Sequence, residues 1–286
     1  MYKLSIITIN LNDATGLERT IKSVVEQTVF ERIEYIIIDG GSTDNSPEVI
    51  QKYASQLAYY QIGPDRGIYK QMNKGVSVST GEYLLFLNSG DNLHEKGSIE
   101  GVIDQLHDTD FLIGEMVFLA TGFLFGVPEN ISLLSFMQAS LPHNATFIKR
   151  KWLEDYPYDE SLRIVSDWKF FVQSFIIGNA SYKVVRNIIS DFDCNGISSN
   201  NRDLCEIEKE TALKDLFPQR VLDDYRHFLK GGGYTNTDYD RFYIKLRNYR
   251  YGDYLYSLNN LILRVVALFK KGARFVRFFP IKLHNR

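Results

Sequence analysis

The sequence of 286 residues lacks the short motifs that mark several large enzyme classes. It contains no GxGxxG fingerprint, no P-loop, no GxSxG elbow and no HExxH pair. Each of these motifs places a phosphate cradle, a nucleophile or a pair of zinc ligands at a fixed spacing. Their absence argues against dinucleotide oxidoreductases, P-loop kinases, serine hydrolases and zinc proteases.

Cysteines are scarce, and long apolar runs are missing. Cys194 and Cys205 show no CxxC or zinc spacing, which fits a reduced, cytoplasmic protein with inert thiols. The first ten residues read directly as a strand, so we expect no signal peptide. The best membrane-span candidate, 258–269, is interrupted by Arg264 and falls short of the roughly 20 residues that a spanning helix needs.

The small net charge of −2 hides two oppositely charged parts. Residues 241–286 carry 11 Lys and Arg against one acid, Asp253, whereas residues 1–240 carry 22 bases and 34 acids. A segregated basic tail suggests an anionic partner, either a membrane surface or a nucleic acid. The tail interleaves its charges with aromatic residues at helical spacing, which favours peripheral contact with an anionic membrane.

Packing of this tail on the catalytic domain or on a second subunit is the alternative. The body is acidic and shows no nucleic-acid recognition motif, so we expect no nucleic-acid partner.

Apolar runs alternate with amphipathic segments in the first third of the chain. Strands are predicted at 4–9, 33–38, 59–62 and 83–87, with helices between them. This order predicts an α/β fold with a mixed, mostly parallel sheet flanked by helices. Further along, the pattern predicts three helices, at 98–107, 167–177 and 202–229. The apolar content of 44% is enough for a sizeable core.

The domain organisation follows from these elements. We predict a catalytic domain over 1–229, with a nucleotide half at about 1–95 and an acceptor half at about 96–229. The glycine-rich segment 230–240 (KGGGYTNTDYD) is the predicted linker, and 241–286 is the basic helical tail.

Three aspartates stand in contexts that suggest chemistry. Asp39 ends the strand in IEYIIIDGGSTDNS, and Asp91 follows the strand in YLLFLNSGD. Ligands of α/β sheets bind beyond the carboxyl ends of the strands, so both are placed to meet a ligand. Asp39 suits hydrogen bonding to a base or a ribose, and Asp91 suits Mg²⁺ or Mn²⁺. Asp167 opens the aromatic segment DWKFF and suits a proton acceptor. Turn formation or helix capping would equally explain each acid alone.

Other side chains are weaker candidates. Arg66, in the loop PDRG, suits phosphate binding, and Lys74 follows in the next helix. Trp168 suits packing on a sugar face, and His143 suits contact with phosphate or acceptor. A surface ion pair, a core aromatic and a structural histidine are the respective alternatives.

Taken in order, these motifs over about residues 3–200 resemble the inverting family 2 glycosyltransferases, which have the GT-A fold. DGGSTDNS, at 39–46, matches the family's uracil-binding aspartate motif, and NSGD, at 88–91, stands where the family has its DxD metal motif. SDW, at 166–168, matches the motif that carries the catalytic base. DRGIYKQMNKG, at 65–75, is similar to a signature of the surface-polysaccharide and colanic-acid type subgroup. NGIS, at 195–198, resembles a loop that often follows the last core strand.

The sequence departs from the family pattern at three positions. Leu11 replaces the usual tyrosine, which puts base stacking there in question. Ser89 replaces the first aspartate of DxD, so Asp91 is the one metal carboxylate carried over. Ser166 replaces the acid that usually precedes the base.

The resemblance implies a role for each candidate. Donor binding falls to Asn10, Asn12, Asp39, Asp65, Arg66 and Lys74. Asp91 would hold Mg²⁺ or Mn²⁺, Asp167 would act as base, and Trp168 and His143 would meet the acceptor. The implied reaction moves a sugar from a nucleotide-sugar, by family likeness a UDP-sugar, to a hydroxyl of a glycan or lipid-linked acceptor in bacterial polysaccharide biosynthesis.

We therefore expect a cytoplasmic enzyme, peripheral at the inner face of the cell membrane through 241–286, and its oligomeric state stays open. Two other functions stay open from the residues alone. One is a non-catalytic nucleotide-sugar or glycan-binding subunit, and the other is a nucleotidyltransferase. The central expectation is that Asp39, Asp91 and Asp167 converge around one pocket.

Overall fold

The computed structural model describes residues 2–64, 67–194, 196 and 201–229. Several predictions lie outside these residues. They are the roles of Asp65 and Arg66, most of the 195–198 motif, the linker 230–240 and the tail 241–286.

Four parallel strands form one half of the sheet. They are β1 (Leu4–Asn10), β2 (Ile33–Asp39), β3 (Tyr59–Ile62) and β4 (Tyr83–Phe86), in the order β3-β2-β1-β4. Every residue of β1 and β2 is buried, as expected for strands covered on both faces. Their register pairs Asn10 with Asp39. The two polar residues therefore end neighbouring strands at the same edge.

The other half of the sheet is mostly antiparallel. Its strands are β5 (Asn92–Leu93), β6 (Phe111–Phe118), β7 (Phe123–Phe125), β8 (Thr146–Lys149) and β9 (Tyr182–Phe192). The sheet continues from β4 through β8, β6 and β9 to β5, and β7 forms a hairpin with β6. Only β6 and β9 pair in parallel here, with register shifts near Glu115. The mixed α/β architecture predicted from the sequence is confirmed.

Nine α-helices accompany the sheet in the described residues. They are α1 (Ala14–Val25), α2 (Ser46–Tyr53), α3 (Ile68–Val78), α4 (Glu100–Ile103), α5 (Leu133–Gln138), α6 (Arg150–Asp155), α7 (Ser166–Val172), α8 (Arg202–Leu216) and α9 (Gln219–Leu229). Asp13 caps α1 by accepting a hydrogen bond from the Gly16 N–H, which satisfies one of the unpaired amides at the helix start. Leu17, Ile21 and Val24 give α1 its buried face.

Three helices differ from the sequence-based expectation. The segment 98–107 is α-helical only over α4, and the chain forms turns after Ile103. Pro218 separates α8 from α9, since proline cannot donate the helical hydrogen bond. After α7 the chain continues as a π-helical turn over Gln173–Ile177, closed by the Gly178 N–H on the Gln173 carbonyl at 2.8 Å.

The chain divides into two compact units, Met1–Leu216 and Phe217–Arg286. The site described below lies entirely within the first unit, and α9 is the described part of the second. The domain boundary near residue 230 stays a prediction. Within the described ranges, no helix is both long enough and apolar enough to cross a membrane.

Candidate active site

The loop after β2 is organised around the Asp39 carboxylate. Its Oδ1 accepts hydrogen bonds from the Gly41 and Ser42 N–H groups at 2.9 and 2.8 Å. Its Oδ2 accepts from Asn10 Nδ2 at 2.7 Å and Ser42 Oγ at 2.6 Å. Gly41 adopts φ +86°, and a Cβ there would lie 2.9 Å from the Gly63 carbonyl oxygen, so the turn requires glycine. Asp39 is fully buried, and its carboxylate is hydrogen-bonded by its own loop and by Asn10.

Asn10 connects this loop to the segment 88–91. While its Nδ2 donates to Asp39, its Oδ1 accepts a hydrogen bond from Ser89 Oγ at 2.7 Å. Ser89, which takes the place of an acid in the family pattern, therefore ties the two loops together. Asn12 adopts φ 56°, and its Oδ1 accepts the Thr43 N–H at 2.8 Å. Both asparagines thus brace the carboxyl edge of the sheet.

A cavity of about 410 Å³ opens beside this edge. Asp91, His143, Asp167 and Trp168 line it, although they come from segments far apart in the sequence. Asn10, Asn12, Asp39 and Lys74 do not line it. The expected convergence is therefore found for Asp91 and Asp167, whereas Asp39 is joined to the site only through Asn10 and Ser89. The binding roles expected of Asn10, Asn12, Asp39 and Lys74 stay predictions.

Asp91 is a buried carboxylate at one end of the cavity. Desolvation raises its pKa to about 7, opposed by the Asp193 N–H, which donates to Oδ1 at 2.9 Å. The Asn144 amide also lies close enough to lower this pKa, yet neither of its polar atoms has a hydrogen-bond partner in the structure. Asn88 Oδ1 is buried and unpartnered as well. Burial thus disfavours the charged form of Asp91. The side-chain oxygens of Asn88 and Asn144 are buried without hydrogen-bond partners.

Asp167 presents its carboxylate to the cavity from the first turn of α7. Its Oδ1 accepts a hydrogen bond from the Tyr69 hydroxyl at 3.1 Å, and its Oδ2 lies 3.5 Å from His143 Nδ1. The rings beside it along the chain, Trp168 and Phe170, are buried. The carboxylate is therefore hydrogen-bonded by Tyr69 and close to His143, while the neighbouring aromatic residues belong to the core.

His143 links Asp167 to the segment 88–91. Burial lowers the pKa of its imidazole against the opposing effect of Asp167, so the neutral form dominates at neutral pH. His143 Nε2 lies 3.3 Å from Asn88 Nδ2. Because an amide nitrogen donates and does not accept, Nε2 is the acceptor and the ring proton lies on Nδ1, which faces Asp167. The role expected of His143, contact with the acceptor, stays a prediction.

Trp168 lines the cavity but is only 1% exposed. Its Nε1–H donates to the Phe136 carbonyl at 2.8 Å, and Lys209 Nζ lies 5.5 Å from its ring centroid. The ring is thus largely enclosed by protein in this structure. Its proposed stacking on a sugar stays a prediction.

Sequence reasoning missed the wall that α8 contributes. Glu208 is buried, and it accepts hydrogen bonds from three consecutive backbone amides, those of Arg163, Ile164 and Val165, at 2.8, 3.0 and 3.2 Å. Its neighbour Lys209 lines the cavity. No motif marks Glu208, because the acid lies 41 residues beyond Asp167 and its partners are backbone groups. Tyr69 lay inside the 65–75 signature, but only the fold shows that it reaches Asp167.

We expect Tyr69→Phe to lower kcat about 10- to 100-fold without changing affinity for the donor that the sequence predicts. The change removes only the hydroxyl that donates to Asp167, and a lost hydrogen bond to a charged group costs about 1.5–3 kcal/mol. Steady-state kinetics of the sugar transfer expected from the sequence measure the effect. Tyr158→Phe is the matched control, because the Tyr69 and Tyr158 rings are 5.7 Å apart and the Tyr158 hydroxyl has no partner. Equal kinetics for the two variants would remove Tyr69 from the site.

Two solved structures share this fold. TarS of S. aureus, in a crystal structure of its residues 1–349 with UDP, aligns over 67% of this chain and 60% of that one, with a TM-score of 0.56 and 21% identity. The mannosyltransferase PcManGT from Pyrobaculum calidifontis, in complex with GDP-Man and Mn²⁺, covers 66% of this chain and 56% of its own, with a TM-score of 0.52 and 16% identity. These similarities confirm the predicted GT-A architecture.

Sequence comparison identifies the class and then the family. An uncharacterized glycosyltransferase of Mycobacterium tuberculosis is 30% identical over 237 residues, which are 80% of this chain and 86% of the relative. The protein described here is accordingly a glycosyltransferase. The family model described as Glycosyl transferase family 2 matches residues 5–138, and the chain belongs to that family. Neither a nucleotidyltransferase nor a non-catalytic binding subunit finds support in these relatives.

Proposed function

We propose that this glycosyltransferase moves a sugar from a UDP-sugar to a hydroxyl of a glycan or lipid-linked acceptor in polysaccharide biosynthesis, with inversion at the anomeric carbon. The observation that carries the proposal is that Asp91 and Asp167 line one cavity. One acid is placed to meet the donor diphosphate, and the other is placed to receive a proton.

Asp167 is the base in the proposed reaction. An acceptor hydroxyl gives its proton to Asp167 as its oxygen attacks the anomeric carbon, and the bond from that carbon to the diphosphate oxygen breaks. The attack comes from the face opposite the leaving group and inverts the centre. The Tyr69 hydroxyl donates to one oxygen of Asp167 and His143 Nδ1 lies 3.5 Å from the other, and the Tyr69 bond pre-orients the carboxylate for proton transfer.

The residues around Asp91 fit a hard divalent cation such as Mg²⁺ or Mn²⁺. Asp91 offers a buried carboxylate, while the oxygens of Asn88 and Asn144 are buried without partners. The described residues contain no cluster of three or more His, Cys, Asp and Glu side chains that could hold a metal. Protein sites for Mg²⁺ often use one or two carboxylates and complete their shell with water and substrate phosphates. A cation there would neutralise charge on the departing diphosphate.

UDP is the proposed nucleotide, and Asn10, Asn12, Asp39, Asp65, Arg66 and Lys74 are its proposed ligands. The TarS structure contains UDP, which supports this choice. The buried Asp39 carboxylate already accepts four hydrogen bonds. A base N–H or ribose hydroxyl would therefore have to replace one of them, most directly that of Ser42 Oγ.

A thermal-shift screen tests the proposal. We expect UDP with Mn²⁺ to raise Tm by about 5 °C or more, because a ligand at 100 times its Kd stabilises a protein by about 2.7 kcal/mol. GDP and dTDP should give smaller shifts, and EDTA should reduce the UDP shift. Transfer from the UDP-sugar that binds is then measured, with the anomeric configuration of the product read by NMR. No shift with any nucleoside diphosphate, or retention of configuration, would contradict the proposal.

The basic tail 241–286 is proposed to hold the enzyme at the inner face of the cell membrane. Its 11 Lys and Arg against one acid support this, since each basic residue near an anionic surface contributes about 1 kcal/mol. We expect full-length protein to co-sediment with vesicles that contain phosphatidylglycerol. Reversing the charge at Lys270, Lys271 and Arg274 together should weaken binding about 100-fold or more. Equal binding to pure phosphatidylcholine vesicles would argue against the electrostatic attachment.

A further inference from the structure

Two basic side chains are among the residues that line the cavity. Arg163, in the loop before α7, and Lys209, in α8, both border it. Four aspartates border the same space: Asp13, Asp91, Asp167 and Asp193. Across the part of the chain that the structure describes, neither Arg163 nor Lys209 has an ion-pair partner. The two positive charges therefore border the ligand space without being paired with any of these carboxylates in a salt bridge.

A buried carboxylate holds the backbone segment from which Arg163 projects. Glu208 accepts the Arg163 N–H at 2.8 Å and adjoins Lys209 in the chain. Both of its oxygens are used by the backbone amides of residues 163–165. The backbone of this part of the wall is therefore fixed before a ligand binds, which lowers the cost of ordering it.

Lys209 lies over the aromatic ring that follows the proposed base in the chain, and the same cavity has an apolar lining. Lys209 Nζ sits 5.5 Å from the ring centroid of Trp168, the residue after Asp167. Apolar side chains complete the same cavity: Met116, Phe125, Leu141, Ile164 and Phe192. A ligand that fits this wall has a negatively charged group for the cations and an apolar part for the aromatic and aliphatic surface.

We propose that Arg163 and Lys209 form an anion subsite that binds a phosphate or diphosphate group on the acceptor, attached to an apolar chain. This inference rests on the proposed transfer reaction and specifies its acceptor. Guanidinium and ammonium groups are the usual protein donors to phosphate oxygens. The phosphate is not consumed. It anchors the acceptor while a separate hydroxyl gives its proton to Asp167 and forms the new glycosidic bond.

Calorimetric binding of a matched pair of probes tests the subsite. Geranyl phosphate and geraniol differ only in the phosphate, and both are titrated into full-length protein saturated with Mn²⁺ and the nucleotide found by thermal shift. We expect geranyl phosphate to bind at least tenfold tighter than geraniol. Arg163→Gln and Lys209→Gln should each weaken geranyl phosphate about tenfold and change geraniol less than twofold.

Controls separate this inference from other effects. Lys214→Gln removes the same charge from the same helix, at a residue that pairs with Glu210 and does not line the cavity, and it should bind both probes like the wild type. Arg163→Lys keeps the charge and should restore most of the binding lost in Arg163→Gln. Melting curves check that each variant is folded.

Several results would overturn the subsite. Equal affinity for the two probes, or binding of neither, would show that the wall does not recognise phosphate. Variants that weaken nucleotide binding instead would assign the cations to the donor diphosphate. Failure of the proposed function would give a different result, because the nucleotide itself would not bind or no sugar would be transferred.

Discussion

Asp167→Asn is expected to lower kcat for sugar transfer about 1,000-fold while nucleotide binding stays unchanged. The amide has almost the shape of the carboxylate and still offers Oδ1 to the Tyr69 hydroxyl, but it cannot take up a proton. General base catalysis contributes about 10²–10⁴-fold to a reaction rate. Radiolabelled sugar transfer measures kcat, and calorimetry with UDP and Mn²⁺ measures nucleotide binding.

The control for this variant is Asp155→Asn. Asp155 is an exposed acid at the end of α6 and does not line the cavity, so its neutralisation should leave the kinetics at the wild-type level. Activity of Asp167→Asn within a few-fold of the wild type would remove Asp167 from the role of base. A joint loss of nucleotide binding would indicate instead that the residue supports the donor site.

Asp91→Asn is expected to lower kcat/KM about 100-fold or more and to abolish the effect of Mn²⁺ on nucleotide binding. Asp91 is the one carboxylate of the segment 88–91, and a bound cation supplies several kcal/mol of charge stabilisation. The variant should also show a UDP thermal shift that EDTA does not change. A shift that stays sensitive to EDTA would place the cation elsewhere.

The pH dependence of metal binding follows from the pKa of about 7 that burial gives Asp91. Below pH 7 a proton competes with the cation, so the affinity for Mn²⁺ in the presence of UDP should rise about tenfold per pH unit and level off above pH 7. Without metal, the free energy of unfolding changes with pH in the opposite direction. The folded state holds this proton more tightly than the unfolded state, so the free energy of unfolding falls as the pH rises from about 4 towards 7. Asp91→Asn should flatten both profiles.

Much of the sheet was predictable because its apolar runs are unambiguous. The Ile-rich segments of β1 and β2 are buried along their whole length, and helices separate the parallel strands. Parallel strands share a carboxyl edge, so the order of elements predicted Asp39 at that edge, whereas its pairing with Asn10 is a matter of strand register that the structure shows. The junction of β4 and β8, where the sheet turns antiparallel, has no comparable sequence signal.

The site was only partly predictable, because its contacts depend on loop conformation and on distant segments. Asp39 was expected to meet a ligand, but whether its oxygens are available is decided by the turn at Gly41 and Ser42. His143 was a candidate by residue type, whereas its position between Asn88 and Asp167 is set by the tertiary fold. Glu208 binds backbone amides, which carry no sequence pattern at all.

A crystal structure of the full chain with UDP and Mn²⁺ would show whether Asp91 and Asp167 serve one site. We expect Mn²⁺ at roughly 2.1 Å from an Asp91 carboxylate oxygen, the diphosphate beside it, and Asp167 facing the remaining space of the same cavity. A nucleotide bound with its diphosphate away from Asp91, or with Asp167 shut off from the sugar position, would contradict it.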